Sequence, residues 1–169
     1  MQRIMIMGSG GSGKSALAKQ LGEISGLPVV HLDKIVLLPN WKLKSKEQTV
    51  PLIIEEQDKE RWIIDGTSPA TMAHRMERAD VIILIDFKLC LCYYRGIKRS
   101  IKNYGKVRDE VGEGCRDKIT WFFLKCIWNF RKRRQHIIKM MNASGKTVYH
   151  LKTRKQVREF VEEMKEWFV

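Results

Sequence analysis

The chain has 169 residues, four cysteines and a formal net charge of +13. This length predicts one domain, residues 1–169, that buries about two thirds of its unfolded surface. No apolar run approaches the ~20 residues of a bilayer span, and the first residues lack the order of a secretory leader, so no membrane partner is expected. Cys90, Cys92, Cys115 and Cys126 fit neither a disulfide framework nor paired zinc-ligand spacing, which predicts a cytoplasmic protein with reduced, mostly packed thiols.

The first element is an apolar strand over 4–7. It runs into Gly8-Ser9-Gly10-Gly11-Ser12-Gly13-Lys14-Ser15, which satisfies G-x-x-x-x-G-K-[ST] at every fixed position. Leu17, Leu21 and Ile24 then recur on one helical face. Strand, glycine loop and helix are the context in which this octet cradles phosphate. Glycine lets successive N–H groups converge on phosphate oxygens, and the helix adds the positive end of its dipole. Lys14 is placed to bridge the β- and γ-phosphates of a nucleoside triphosphate, and the Ser15 hydroxyl to sit on its Mg²⁺.

Apolar, β-branched runs follow at 29–32, 62–64, 81–85 and 147–151, separated by helix-like segments. Near-continuous apolar strands alternating with helices predict an α/β fold with a parallel sheet covered on both faces. A helical stretch from about 45 to 60 contains Pro51, which predicts a kink or two shorter pieces. Ser68-Pro69 reads as a helix start, and Thr153 with Gln156 as a capping box. His31 and His150 read as structural histidines, and the tryptophans and methionines as core.

Asp33, Asp65 and Asp86 each close a predicted strand, where an open parallel sheet presents its ligand crevice. Phosphoryl transfer needs a carboxylate near the metal and often a second beside the acceptor, although each Asp also suits a turn or a cap. Residues 88–134 hold fourteen Lys or Arg against four Asp or Glu, a surplus of ten of the total +13. That surplus makes a positive field for polyanions. Within it, 103–114 carries three glycines among charges and reads as either a plain surface loop or a mobile lid. Arg131-Lys132-Arg133-Arg134 reads as either a phosphate-binding cluster or the solvated face of a long helix whose Trp121, Phe122, Trp128 and Phe130 pack inward.

Taken together, the glycine loop, the Asp after the second strand, Ile63-Ile64-Asp65-Gly66 and the arginine-flanked segment resemble the adenylate-kinase-like group of small P-loop kinases. A narrower likeness, carried by His31-Leu32-Asp33 followed by Trp41, by Asp65-Gly66, by Glu113-Gly114-Cys115 and by the aromatic-rich helix of 121–134, is to the bacterial topology modulation proteins. The resemblance implies a P-loop NTPase fold in three layers, α/β/α, with a five-stranded parallel sheet of order 2-3-1-4-5 and a helical lid over about 95–134. It implies ATP and Mg²⁺ as cofactors, with Asp65 and Ser15 on the metal side. It implies that Lys14 and Asp33 act at the reacting groups, with Arg95, Arg99 and Arg131 neutralising the transferring phosphoryl group. The expected nucleotide ligands are Gly8 to Ser15 together with Arg134 and Arg154. The chain reads Asp65-Gly66-Thr67-Ser68-Pro69, which lacks the adenylate kinase acceptor pattern.

The leading expectation is transfer of the γ-phosphoryl group of ATP to a small acceptor, a nucleoside, nucleotide or small hydroxy compound. Two others stand beside it. One is a DNA-binding protein acting on DNA topology, with nonspecific nucleic-acid binding through the basic lid region. The other is a nucleotide-binding regulatory module without transferase activity.

Overall fold

The computed structural model describes residues 1–168. Five parallel strands form one sheet: β1 (Arg3–Gly8), β2 (Val29–His31), β3 (Trp62–Asp65), β4 (Val81–Ile85) and β5 (Thr147–Leu151). Their order is 2-3-1-4-5, as the resemblance implies. Around them run α1 (Lys14–Ser25), α2 (Leu32–Val36), α3 (Lys46–Asp58), α4 (Met72–Arg78), α5 (Leu89–Lys102), α6 (Trp121–Ala143) and α7 (Arg154–Phe168). Among the described residues no helix is long and apolar enough to cross a membrane.

The strict alternation of side chains along a strand divides the core into two layers. Ile4 and Ile6 of β1 join Ile63, Ile83 and Ile85 beneath α1 and α7, where Leu17, Leu21, Phe160 and Met164 cover them. Met5 and Met7 point the other way, with Trp62, Ile64, Ile82 and Leu84, against Ile53 of α3, Met72 and Met76 of α4 and Ile137 and Met141 of α6. All strands of the sheet except its edges are therefore apolar on both faces, which is why they read as continuous runs rather than alternating ones.

Local signals fared unevenly. Thr153 and Gln156 form their capping box, with Gln156 N donating to Thr153 Oγ1 at 3.2 Å and Thr153 N to Gln156 Oε1 at 3.1 Å. Pro69 opens a single 3₁₀ turn ahead of α4, and the Ser68 side chain makes no cap. α3 runs through Pro51 as one helix instead of two pieces. Pro51 and Glu47, whose carbonyl the proline leaves without its helical donor, are both exposed residues, and a capping box of Ser45 with Gln48 anchors the start.

The tryptophans correct the expectation that they form core. Trp62 is fully buried, but Trp121 is 80% exposed, and Trp128 and Trp167 are about half exposed. α6 buries Ile127, Phe130, Ile137 and Met141, a stripe of helical spacing from which Trp128 is turned by one residue, about 100°. Cys92 and Cys115 are buried, while Cys90 and Cys126 are exposed.

Residues 103–120 form a folded-down segment, not a bare loop. Val107 bridges Arg116, Gly105 N donates to the Asp117 carbonyl at 2.9 Å and Asp117 N to the Lys106 carbonyl at 2.7 Å. Val111 and Cys115 make a small apolar cluster with Leu37, which belongs to a two-residue hairpin pairing Leu37–Leu38 with Lys42–Leu43. Lys19 of α1 reaches Glu110 at 2.6 Å. Thus the segment is clasped to α1 on one side and to the hairpin on the other.

Candidate active site

The parallel register brings the strand ends together. Ile6 pairs with Asp65, His31 pairs with Asp65 from the other side, and Gly8 pairs with Ile85. The glycine loop, Asp33, Asp65 and Asp86 consequently line one edge of the sheet, the carboxyl edge at which α/β proteins bind ligands.

The loop is wound as its composition requires. Gly11 and Gly13 have φ of +73° and +98°, the left-handed region that costs residues with a Cβ about 1–2 kcal/mol. A Cβ at Gly11 would strike the Cys92 carbonyl of α5. The Ser9 and Ser12 hydroxyls are buried without partners among the described residues. Lys14 Nζ curls back to donate to the Ser9 carbonyl at 3.0 Å, a bond that phosphate oxygens entering the loop would replace. Ser15, half-buried, stands in the first turn of α1.

Asp33 lies in the first turn of α2 and is exposed to solvent. Desolvation by the surrounding protein pushes its pKa up, opposed by Lys14 and reinforced by Asp65, with Arg108 and His31 also opposing. Lys14, Asp65, Arg108 and His31 are thus all within electrostatic reach of Asp33. Asp65 is 3% exposed. Its Oδ1 lies 3.1 Å from His31 Nδ1, and its Oδ2 is buried with no hydrogen-bond partner among the described residues. His31 therefore combines the expected structural place with direct contact to a site carboxylate.

The arginines separate into those the fold gathers and those it does not. Arg95 Nη1 donates to the Ser12 carbonyl at 3.1 Å, inside the loop. Burial and then the neighbouring Arg154 lower its pKa, so Arg95 and Arg154 share that flank. Arg99 lies over the Phe123 ring at 5.2 Å and 3.9 Å from Asp117. Burial lowers its pKa, as does Arg108, while Asp117, Glu110 and Asp33 resist. Arg134 reaches the same edge but donates its Nε to Asp86. Arg131 is not brought to the loop: it is exposed and its guanidinium lies over Trp128 at 5.5 Å.

Two arginines escaped sequence reasoning. Arg108 Nε is 2.9 Å from Asp117 Oδ2; its place in a charged, glycine-containing segment was the available signal. Arg75 of α4 is fully buried, and no pattern in the sequence marks it. Beyond Asp65-Gly66, a cavity of about 330 Å³ opens between α4 and α6, lined by Thr67, Pro69, Met72, Arg133, His136 and Ile137 among others.

No three His, Cys, Asp or Glu side chains converge on a metal position among the described residues. Mg²⁺ keeps most of its waters and binds through one or two protein oxygens and the substrate phosphates; the oxygens this sheet edge offers are Ser15 Oγ and Asp65 Oδ2, the latter buried with no hydrogen-bond partner among the described residues.

A glycine loop heading α1 and a parallel sheet of order 2-3-1-4-5 define the P-loop kinase fold in three α/β/α layers. No protein-family model matches the sequence, and no curated protein matches it either. Among solved structures, the chain is similar to a shikimate kinase from Acinetobacter baumannii in complex with shikimate, with a TM-score of 0.63 at 11% identity over 99% of this chain and 92% of that one. It is also similar to a sugar kinase from Janibacter sp., with a TM-score of 0.50 at 12% identity over 99% and 91%. At these identities the likeness is one of fold.

Proposed function

We propose that the protein is a Mg²⁺-dependent phosphotransferase that passes the γ-phosphoryl group of ATP to a small acceptor bearing a hydroxyl or phosphate. The observation that carries this reading is that the parallel register sets the left-handed glycine loop with Lys14, Asp33 and Asp65 at the ends of β1, β2 and β3 on one edge of the sheet. The loop N–H groups would hold the phosphates, and Lys14 would leave the Ser9 carbonyl for the β- and γ-oxygens. Ser15 and Asp65 would hold Mg²⁺, which when bound neutralises charge between those oxygens. Asp33, its pKa raised by desolvation, would orient the acceptor and take its proton. Arg95, Arg99 and Arg108 would balance the charge of the transferring group as the segment within 95–134 closes.

The single-domain reading of 1–169, the cytoplasmic location and the finer likeness to adenylate-kinase-like and topology modulation proteins belong to this proposal. The cavity beside Thr67 supports an acceptor with an apolar body and an anionic group, because Met72 and Ile137 form its wall and Arg133 supplies a cation at its rim. The test is incubation with γ-labelled ATP and Mg²⁺ over a panel of nucleosides, nucleotides, sugars and hydroxy acids, shikimate included. Labelled product identifies the acceptor class. ATP binding with no product from any member would favour a regulatory module instead.

A second reading has its own observation. Trp121, Lys125, Trp128 and Lys132 recur on one exposed face of α6, and rings interleaved with cations suit nucleic acid. Binding of duplex and single-stranded DNA measured across salt tests it. Affinity that survives at physiological ionic strength favours this role, and its loss leaves the charge to the kinase site.

A further inference from the structure

Asp117 is the most deeply buried carboxylate among the described residues, 2% exposed. Its backbone is already fixed from both sides: its N–H donates to the Lys106 carbonyl and its own carbonyl accepts from Gly105 N. A residue wanted only for that turn has no need to bury a charge, which is strongly unfavourable unless the charge is paired. The Asp117 carboxylate is paired, and twice. Arg108 Nε lies 2.9 Å and Arg99 Nε 3.9 Å from one and the same oxygen, Oδ2. The attraction is Coulombic, since none of these three buried atoms completes a hydrogen bond of good geometry.

A clasp between α5 and the 103–120 segment needs one arginine. A second brought to the same oxygen adds like-charge repulsion, which burial strengthens. The next carboxylate does not relieve it, because Glu110, 3.6 Å from Arg108 Nη1, is held at 2.6 Å by Lys19. Asp109 also nears Lys19, but its side chain is 89% exposed and stands in water. Arg99, Arg108 and Lys19 against Asp117 and Glu110 leave one positive charge in surplus.

That surplus borders the glycine loop. Arg99 is one turn beyond Arg95 on α5, and Arg95 reaches into the loop at the Ser12 carbonyl. The Phe123 ring beneath Arg99 is also the ring that a Cβ at Gly10 would meet, at 3.0 Å. Lys19 stands one turn beyond Ser15 on α1. The anion that would balance the charge therefore has a place and a class, a phosphate group extending from the loop. The closest approach of each arginine to Asp117 is through Nε, and a guanidinium met there keeps its Nη groups for a second anion.

We propose that Asp117 is a positioning residue: it holds Arg99 and Arg108 by Nε so that the two guanidiniums stay adjacent and their Nη groups form one receptor for the γ-phosphate of a bound nucleoside triphosphate. This rests on the reading of Arg99 and Arg108 as the arginines that balance the transferring group.

The experiment is binding of ADP and of the non-hydrolysable triphosphate AMP-PNP, both with Mg²⁺, by calorimetry, with thermal unfolding on the same samples. Asp117→Asn should weaken AMP-PNP roughly tenfold, the loss expected when a charge-assisted contact is put out of place, and leave ADP unchanged, because only the γ-phosphate reaches the pair. Asp117→Glu, which keeps the charge but displaces it, should lose less. Arg99→Ala with Arg108→Ala should lose AMP-PNP selectively, and adding Asp117→Asn to that pair should weaken it no further. Equal loss of both nucleotides, or a lowered Tm with both affinities intact, would make Asp117 a strut of the segment and overturn the inference. If Asp117→Asn does not fold, Asp117→Glu decides between the same outcomes. Selective loss in the arginine variant but not in Asp117→Asn sinks the inference alone. An arginine variant that binds AMP-PNP as wild type does, or a wild-type protein that binds neither nucleotide, overturns the phosphate reading of the site and the inference with it.

Discussion

Arg134 grips Asp86 through both carboxylate oxygens, its Nε lying 2.7 Å from Oδ1 and 2.9 Å from Oδ2, while His150 Nε2 stands 2.7 Å from Oδ2. The contact ties the middle of α6 to the ends of β4 and β5. Burial pushes the Asp86 carboxyl up, but the hydrogen bonds from Arg134 and His150 outweigh it and hold the pKa below the usual value. A depressed carboxylate contributes stability that is present above its unfolded pKa, about 3.9, and lost as pH falls through its folded one. Asp86→Asn should cost about 1–2 kcal/mol at pH 7 and flatten the loss of stability below about pH 4. Urea unfolding at pH 7 and through the acid range measures both.

Asp33 carries the opposite sign. Its folded pKa is raised, so the ionised form burdens the folded state at pH values above the unfolded pKa. Asp33→Asn should therefore raise Tm at pH 7 while lowering phosphoryl transfer roughly 100-fold. A variant that lost stability and kept its activity would remove Asp33 from the acceptor side.

Lys14→Ala should reduce transfer by roughly 100- to 1,000-fold and leave the far-ultraviolet circular dichroism spectrum unchanged, because the side chain makes one bond, to the Ser9 carbonyl, at the site edge. Turnover near the wild-type value with an identified acceptor would contradict the role given to this lysine.

Gly11→Ala places a Cβ at φ +73° and against the Cys92 carbonyl. The left-handed backbone alone costs about 1–2 kcal/mol, and relief of the clash must part the loop from α5. ATP affinity, by calorimetry, and Tm should fall together. A drop in Tm without loss of affinity would show that the loop's shape tolerates displacement.

Trp62 and Trp121 make a paired test of burial. Trp62 is fully buried with Nε1 donating to the Gln57 carbonyl at 3.1 Å, so Trp62→Ala should cost about 3–5 kcal/mol. Trp121 is 80% exposed, and Trp121→Ala should change stability by no more than about 0.5 kcal/mol. Denaturant midpoints decide both.

What the linear chain determined is what local chemistry encodes. The strands were legible because the central ones are near-continuous apolar runs, and the phosphate loop because glycine alone readily accepts the left-handed backbone at positions such as 11 and 13. The Thr153–Gln156 cap was legible because both partners lie within one turn. Local rules left Pro51 between a kink and two pieces, and α3 continues through it as one helix; they misjudged Trp121 and Trp128, whose burial depends on how α6 is rotated against the sheet. Tertiary structure alone decided the rest of the site. Arg134 finds Asp86 across 48 residues, Arg108 and Arg99 share Asp117, and Arg75 is sealed behind Gly66 by the packing of α4. Pattern in a sequence records which residues turn inward. It does not record which charge an inward-turned arginine will face, because that follows from the angle and register at which separate helices dock on the sheet.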